Sequence, residues 1–236
     1  MIEGVPMKEE RWSLAKVDIF QSLSPEEIER LAPLSASVHL GAAEAFALEK
    51  GRYALLLLTS GRVRVHEPNT AGPGLTLSLV ENPSVVAQTG FAAWPPRVIL
   101  VEALEPSVLR VLQGEAFDDL VRRNPEVGVK TIRVLGARLS TCEARLSEMV
   151  RKEVPARLAG LILGLSEHQG GVTVNGSRMI PTRYTHNQLA SIVGSNREAL
   201  TKALGRLKRA GGVEVKNRRI YVVDVDVLTR IAGSGR

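Results

Sequence analysis

Arg197, Glu198, Thr201 and Lys202 stand within GSNREALTKAL, Gly194 to Leu204. They offer a forked donor, an acceptor, a hydroxyl and a second cation at close spacing. That combination suits reading a patterned polar surface rather than making or breaking bonds. Nothing elsewhere supplies bond-making chemistry. His39, His66, His168 and His186 are scattered, and no Ser/His/Asp or Cys/His order, metal-ligand cluster or phosphate loop stands out. His66, alone after an apolar run, is expected at the surface. Cys142 is the single cysteine, which excludes an internal disulfide framework and any Cys-only metal site within one chain. No catalytic residue, cofactor or metal ligand is therefore assigned, and enzymatic activity is not expected.

The elements that must position these side chains are legible around them. On a helix, Leu200, Ala203, Leu204 and Leu207 fall on one side, leaving Glu198, Thr201, Lys202 and Gly205 on another. Two capping-box patterns, Thr185 with Gln188 and Ser195 with Glu198, mark successive helix starts. They predict helices over Thr185–Val193 and Ser195–Ala210, separated by a turn at Gly194, a residue suited to left-handed backbone. Ala190 is small where the second helix would cross, and Leu189, Ile192, Val193, Leu200 and Leu204 supply a shared core. This is a helix-turn-helix. GGVEVKNRRIYVVD then predicts strands Val213–Val215 and Ile220–Val223 around a basic turn, Lys216–Arg219, forming a wing.

Charge points the same way. From Pro181 to Arg236 there are 11 Lys and Arg against 4 Asp and Glu, whereas the whole chain has 31 against 25. The positive excess thus lies wholly in the last quarter, as in a polyanion-binding module on a near-neutral body. With the helix pair and wing, double-stranded DNA becomes the leading partner. Arginine fits the O6 and N7 of guanine, and a carboxylate accepts from cytosine N4. Arg197 and Glu198 open the second helix, where base edges are approached. Thr201 and Lys202 follow one turn on, and Ser195 and Thr185, at the helix starts, complete the set. Glu198 has a competing role as a cap. Lys208, Arg209, Arg218 and Arg219 are expected at phosphates, fixing register without reading sequence.

The rest of the chain divides into a strand-rich part, 1–124, and a helix, 125–150, ahead of the DNA-binding part, 151–236. SPEEIERLAPL reads as a short helix capped by Ser24, with Glu27 closing the box. YALLLL (53–58) reads as a buried strand, and short alternating runs continue to about Gln113, predicting an antiparallel roll. Asn175–Gly176 marks a hairpin turn. Ile132, Leu135, Leu139, Cys142, Leu146 and Met149 recur at alternating three- and four-residue spacing, an a/d seam. A homodimer paired along this seam is expected, with Cys142 a buried apolar thiol. No run approaches the ~18 apolar residues of a membrane span, and no export signal is seen, so a cytoplasmic setting is expected.

LASIVGSNREALTKALGRLKRAGGVEVKNRRIYVVD, IFQSLSPEEIERLAPL and LLLLTSGRVRVH together resemble the CRP/FNR family of bacterial transcription regulators across nearly the whole chain. The resemblance implies an α+β fold: an N-terminal antiparallel β-roll, a long dimerisation helix and a C-terminal winged helix-turn-helix. It also implies a homodimer on a near-palindromic operator, acting with RNA polymerase, and it puts Arg197, Glu198, Lys202 and Thr201 at base-contacting positions. Ala199 and Leu200 replace the family's usual Thr and Val. Relatives that bind cyclic AMP carry Gly-Glu and then Arg-Ser or Arg-Thr. Here Ala87–Gln88 stands for the first pair, and Arg97 is followed by Val98; Trp94 and Phe91 could fill the old pocket. A degenerate site around Gln88 and Arg97, and regulation independent of cyclic AMP, are therefore expected. The rival reading is a regulator whose roll senses another ligand or redox state and binds DNA only on that signal.

Overall fold

The computed structural model describes residues 14–47, 54–89, 99–169, 172–174 and 177–234. The chain forms two compact units, one of residues 1–67 with 77–140 and the other of 68–76 with 141–236.

In the first unit, α1 (Pro25–Leu31) begins as expected: Ser24 accepts from the amide of Glu27 and Glu27 returns a bond to Ser24. Eight strands follow: β1 (Ser35–Leu40), β2 (Ala45–Ala47), β3 (Ala54–Ser60), β4 (Arg62–Asn69), β5 (Gly72–Glu81), β6 (Ser84–Thr89), β7 (Leu100–Ala103) and β8 (Ser107–Gln113). They make two four-stranded sheets, ordered β1-β8-β3-β6 and β2-β7-β4-β5. The pairs β1–β8, β8–β3, β3–β6, β2–β7 and β7–β4 are antiparallel. Successive side chains of a strand point to opposite faces, so an all-apolar strand must be covered twice. β3 is. Leu56 and Leu58 join Val63, Val65, Val101 and Leu109 in one core. Leu55 and Leu57 join Phe20, Ile28, Phe117 and Val127 in another.

The second core is completed by α2 (Gly114–Arg123) and the start of α3 (Pro125–Arg151), a 27-residue helix. Only Val127 and Thr131 of α3 are buried. His66 departs from expectation. It is buried beside Arg64 and Glu102, with its Nε2 3.5 Å from Glu102 Oε2. Desolvation and then the charge of Arg64 push its pKa down, against an opposing pull from Glu102. Alternation puts His66 and Arg64 on one face of β4, and that face is covered.

The second unit holds α4 (Val154–His168), β9 (Val172–Val174), β10 (Ser177–Met179), α5 (His186–Val193), α6 (Arg197–Arg209), β11 (Val213–Lys216), β12 (Arg219–Val222) and α7 (Val225–Gly233). Its sheet is ordered β11-β12-β10-β9. The Asn175–Gly176 turn lies outside the described residues, although β9 and β10 pair antiparallel on either side of it. α4 buries Leu158, Ala159 and Ile162 and packs on α6 and α7. Residues 68–76 group here through a buried hydroxyl pair, Thr76 Oγ1 to Ser191 Oγ at 2.8 Å.

Candidate nucleic-acid interface

Local chemistry sets the helix pair. Thr185 caps α5 in a complete capping box with Gln188. Gly194 ends the helix in left-handed backbone, φ 65° and ψ 54°, and the next amide, of Ser195, bonds back to Ala190 O at 2.9 Å. This corrects one expectation. Ser195 belongs to the closing turn of α5, so the cap of α6 is Asn196, whose side chain accepts from Ala199 N at 2.8 Å. The shift by one residue moves Glu198 out of the capping-box position. Its carboxylate has no hydrogen bond or ion pair among the described residues, which leaves it open to a partner. Leu189, Ala190, Ile192, Val193, Leu200 and Leu204 are buried together, as the expected core requires.

Arg157, which the sequence did not single out, braces the turn. Its Nε donates to Val193 O at 2.9 Å and its Nη1 to Lys152 O at 2.6 Å, with longer bonds to Met149 O and Gly194 O. Met149, half-exposed at the end of α3, also reaches this turn. A Cβ built on Gly194 would meet Met149 Cε at 2.6 Å, so the methionine methyl packs on the turn. Gly194→Ala would therefore displace the flexible Met149 methyl and, more seriously, force a left-handed alanine, a conformation costing about 1–2 kcal/mol. Its thermal midpoint should fall clearly; an unchanged melt would show that the turn has another conformation.

Leu200, Ala203, Leu204 and Leu207 form the buried side of α6, so Glu198, Lys202, Gly205 and Arg209 lie opposite them at 100° per residue. Arg197 and Thr201 flank this face on the wing side. There a cleft of about 630 Å³ is lined by Arg183, Thr185, His186, Asn187, Arg197 and Arg218, with Leu189, Leu204 and Ile220 among its apolar lining. Arg183, His186 and Asn187 are additions to the expected set. Their signal was present in the sequence, a basic and polar run beside a helix cap, but only the crossing of α5 and α6 brings them to Arg197. Thr201 is partly engaged: its hydroxyl donates to Arg197 O at 2.8 Å and meets His186 Nδ1 at 3.1 Å.

The wing turn is two residues, Asn217 and Arg218, with φ of 52° and 61°, the left-handed pair that suits a tight hairpin. Arg218 is exposed at its tip. Lys216 pairs with Glu214, whose hydrogen bond raises the lysine pKa. Arg219 donates to Met179 Sδ at 3.3 Å within the sheet. Lys208 and Arg209 are exposed.

On α3, Ile132, Leu139 and Leu146 are 71%, 61% and 63% exposed, and Leu135 and Cys142 are also open. Val150, next to Met149, is 77% exposed. Arg97 lies outside the described residues, with Phe91 and Trp94, and Gln88 is placed as backbone on β6 opposite Leu55. Among the described residues no group of His, Cys, Asp and Glu could hold a metal, and no helix is long and apolar enough to cross a membrane.

Two helices joined by a left-handed turn, a basic wing and a cationic cleft between them define a winged helix-turn-helix protein. Residues 156–231 match the model of the Crp-like helix-turn-helix domain. The chain is 23% identical over 220 residues to the CRP-like cAMP-activated global transcriptional regulator of Mycobacterium tuberculosis, covering 93% of this chain and 98% of that one. A CRP/FNR-family transcriptional regulator from Thermus thermophilus is 26% identical, with a TM-score of 0.67 over 84% of this chain and 99% of its own. The c-di-GMP-responsive global regulator CLP of Xanthomonas campestris, 18% identical, shares the fold with a TM-score of 0.72 over 85% of this chain and 100% of its own. Residues 156–231 thus carry a Crp-like helix-turn-helix domain, and over most of its length the chain is similar to transcription regulators of the CRP/FNR type.

Proposed function

We propose that the protein is a homodimeric, sequence-specific regulator that binds a near-palindromic operator without needing cyclic AMP, and that it activates transcription through RNA polymerase. The observation that carries the DNA reading is the outward face of α6, where Glu198 and Lys202 stand opposite the buried leucines beside the cleft of Arg183, Arg197 and Arg218. Arg197, Glu198 and Lys202 read base edges. Lys208, Arg209, Arg218 and Arg183 hold phosphates, and the capping of Thr185 and Asn196 aims both helix starts at the duplex. The apolar row Ile132–Leu139–Leu146 is the dimer seam, and pairing it sets two recognition helices in successive major grooves, about 34 Å apart.

Independence from cyclic AMP rests on the sequence: Ala87–Gln88 offers no carboxylate at the position where cyclic-AMP-binding relatives hold the ribose. The test is enrichment of bound duplexes from a random pool by the purified protein, with and without cyclic AMP. Two inverted half-sites about 10 base pairs apart should emerge equally in both conditions. Enrichment only with the nucleotide would overturn the effector assignment, and unpaired or absent motifs would overturn the dimeric readout.

A further inference from the structure

Arg157 bridges three parts of the second unit: the end of α3, the start of α4 and the turn between α5 and α6. α3 ends at Arg151, and α4 starts at Val154 behind Glu153. The backbone of Glu153 is extended, φ −73° and ψ 162°, and its side chain makes no capping bond. Lys152 and Glu153 therefore form a joint between α3 and the helices that follow. A joint of so few residues absorbs an angular change through its φ and ψ. Its angle is set by whatever crosses it.

The side chain of Arg157 crosses it. Helices end in carbonyls that have no partner within the helix and carry partial negative charge. Met149 O and Lys152 O stand at the end of α3, and Val193 O and Gly194 O at the end of α5. All four accept from the one guanidinium, at 3.4, 2.6, 2.9 and 3.4 Å. Two helix C-termini thus converge on one cation. A guanidinium is a rigid planar fork of five donors, so it fixes direction as well as distance, whereas an ammonium is a point charge on a flexible stem. Met149 adds an apolar contact, its methyl lying against Gly194. Leu146, 63% exposed in the apolar row of α3, lies three residues before Met149, less than one helical turn away.

We propose that Arg157 is a positioning residue: it sets the angle between α3 and the reading head, and so makes the dimer select one spacing between half-sites. This rests on the DNA-binding and dimeric readings above. Two heads on rigid arms reach two half-sites together only where the arms point. One added base pair moves a half-site by about 3.4 Å and turns it about the duplex by roughly 35°. A clipped head cannot follow that turn, so the second contact is lost. A head on a free two-residue joint follows it, with a lower effective concentration at the correct spacing. Arg157 itself reads no base; it governs which pair of sites is engaged.

The test measures dissociation constants of the full-length protein for an enriched duplex with two half-sites, the same duplex with one base pair added or removed between them, and a single half-site. The wild type should bind the altered spacings on the order of 10²-fold more weakly than the correct one. Arg157→Gln and Arg157→Lys should match the wild type on the single half-site, lose about tenfold at the correct spacing, and bind the altered spacings within about threefold of it. Glu153→Gly loosens the backbone of the joint but keeps the clip, and should retain the wild-type spacing profile. An unchanged profile in both Arg157 variants, an equal loss on single and paired half-sites, or a broadened profile in Glu153→Gly would each overturn the proposal and leave DNA binding standing. A wild type indifferent to spacing would do the same. If neither Arg157 variant folds, Glu153→Gly decides. No binding of the wild type to any of these duplexes would overturn the DNA reading and the proposal with it.

Discussion

Replacing Leu139 and Leu146 with glutamate is expected to leave a folded monomer that has lost roughly 10²- to 10⁴-fold of its operator affinity. Both side chains are mostly exposed on α3 and neither belongs to a buried core of the chain, so the double change should not damage the fold. In a paired seam the same positions face each other, and two carboxylates per helix would be desolvated beside two more from the partner. A buried unpaired charge is costly enough to exclude that arrangement. The loss on DNA follows from linkage. Two joined reading heads make the second contact intramolecular, and the gain of about 10²–10⁴ in avidity disappears when they separate. Sedimentation should show half the wild-type mass with an unchanged melt, while affinity for a single half-site stays the same. A variant that remains dimeric would remove α3 as the seam.

Much of this architecture is written locally. Ser24 with Glu27 and Thr185 with Gln188 are true capping boxes because the helix periodicity that follows agrees with them. The Ser195–Glu198 pattern misleads for a reason visible only in three dimensions. Gly194 and Ser195 are needed to close α5, so the neighbouring Asn196 becomes the cap. β3 is legible as a buried strand because a run of leucines serves both faces. α7 was missed, although Asp224 caps it by accepting from Val227 N at 2.9 Å and Leu228 is fully buried. The signal there is short, and β-branched valines dilute it.

Pairings between distant residues are a different matter. His66 meets Glu102 through strand register, His186 meets Thr201 through the crossing of two helices, and Arg157 meets Val193 O through the turn between them. None of these partners shares a sequence window, so spacing rules cannot find them. Sequence spacing puts Arg197, Glu198, Thr201 and Lys202 on one helix, and tertiary packing decides which flanking groups surround them. That division explains why Arg197, Glu198 and Lys202 were legible while Arg183, His186 and Asn187 were not.

The division also separates two kinds of cation on α6, and Arg197→Ala against Lys208→Ala is the experiment that distinguishes them. Arg197 is the first residue of α6, at the end that enters the major groove in the proposed complex, and it is exposed beside the wing. A bidentate arginine–guanine pair discriminates by about 1–3 kcal/mol, so its loss should relax preference at one base pair in each half-site. With two half-sites the cognate duplex should lose about 2–6 kcal/mol, and a scrambled duplex much less. Lys208 stands near the other end of the helix, where a charge meets phosphates of any sequence. Its removal should weaken all duplexes alike and shallow the salt dependence by about one ion per protomer. Fluorescence anisotropy on cognate, singly substituted and scrambled duplexes resolves both patterns. Equal losses on cognate and scrambled DNA after Arg197→Ala would assign that arginine to the backbone, alongside Arg183 and Arg218, and leave base reading to Glu198 and Lys202.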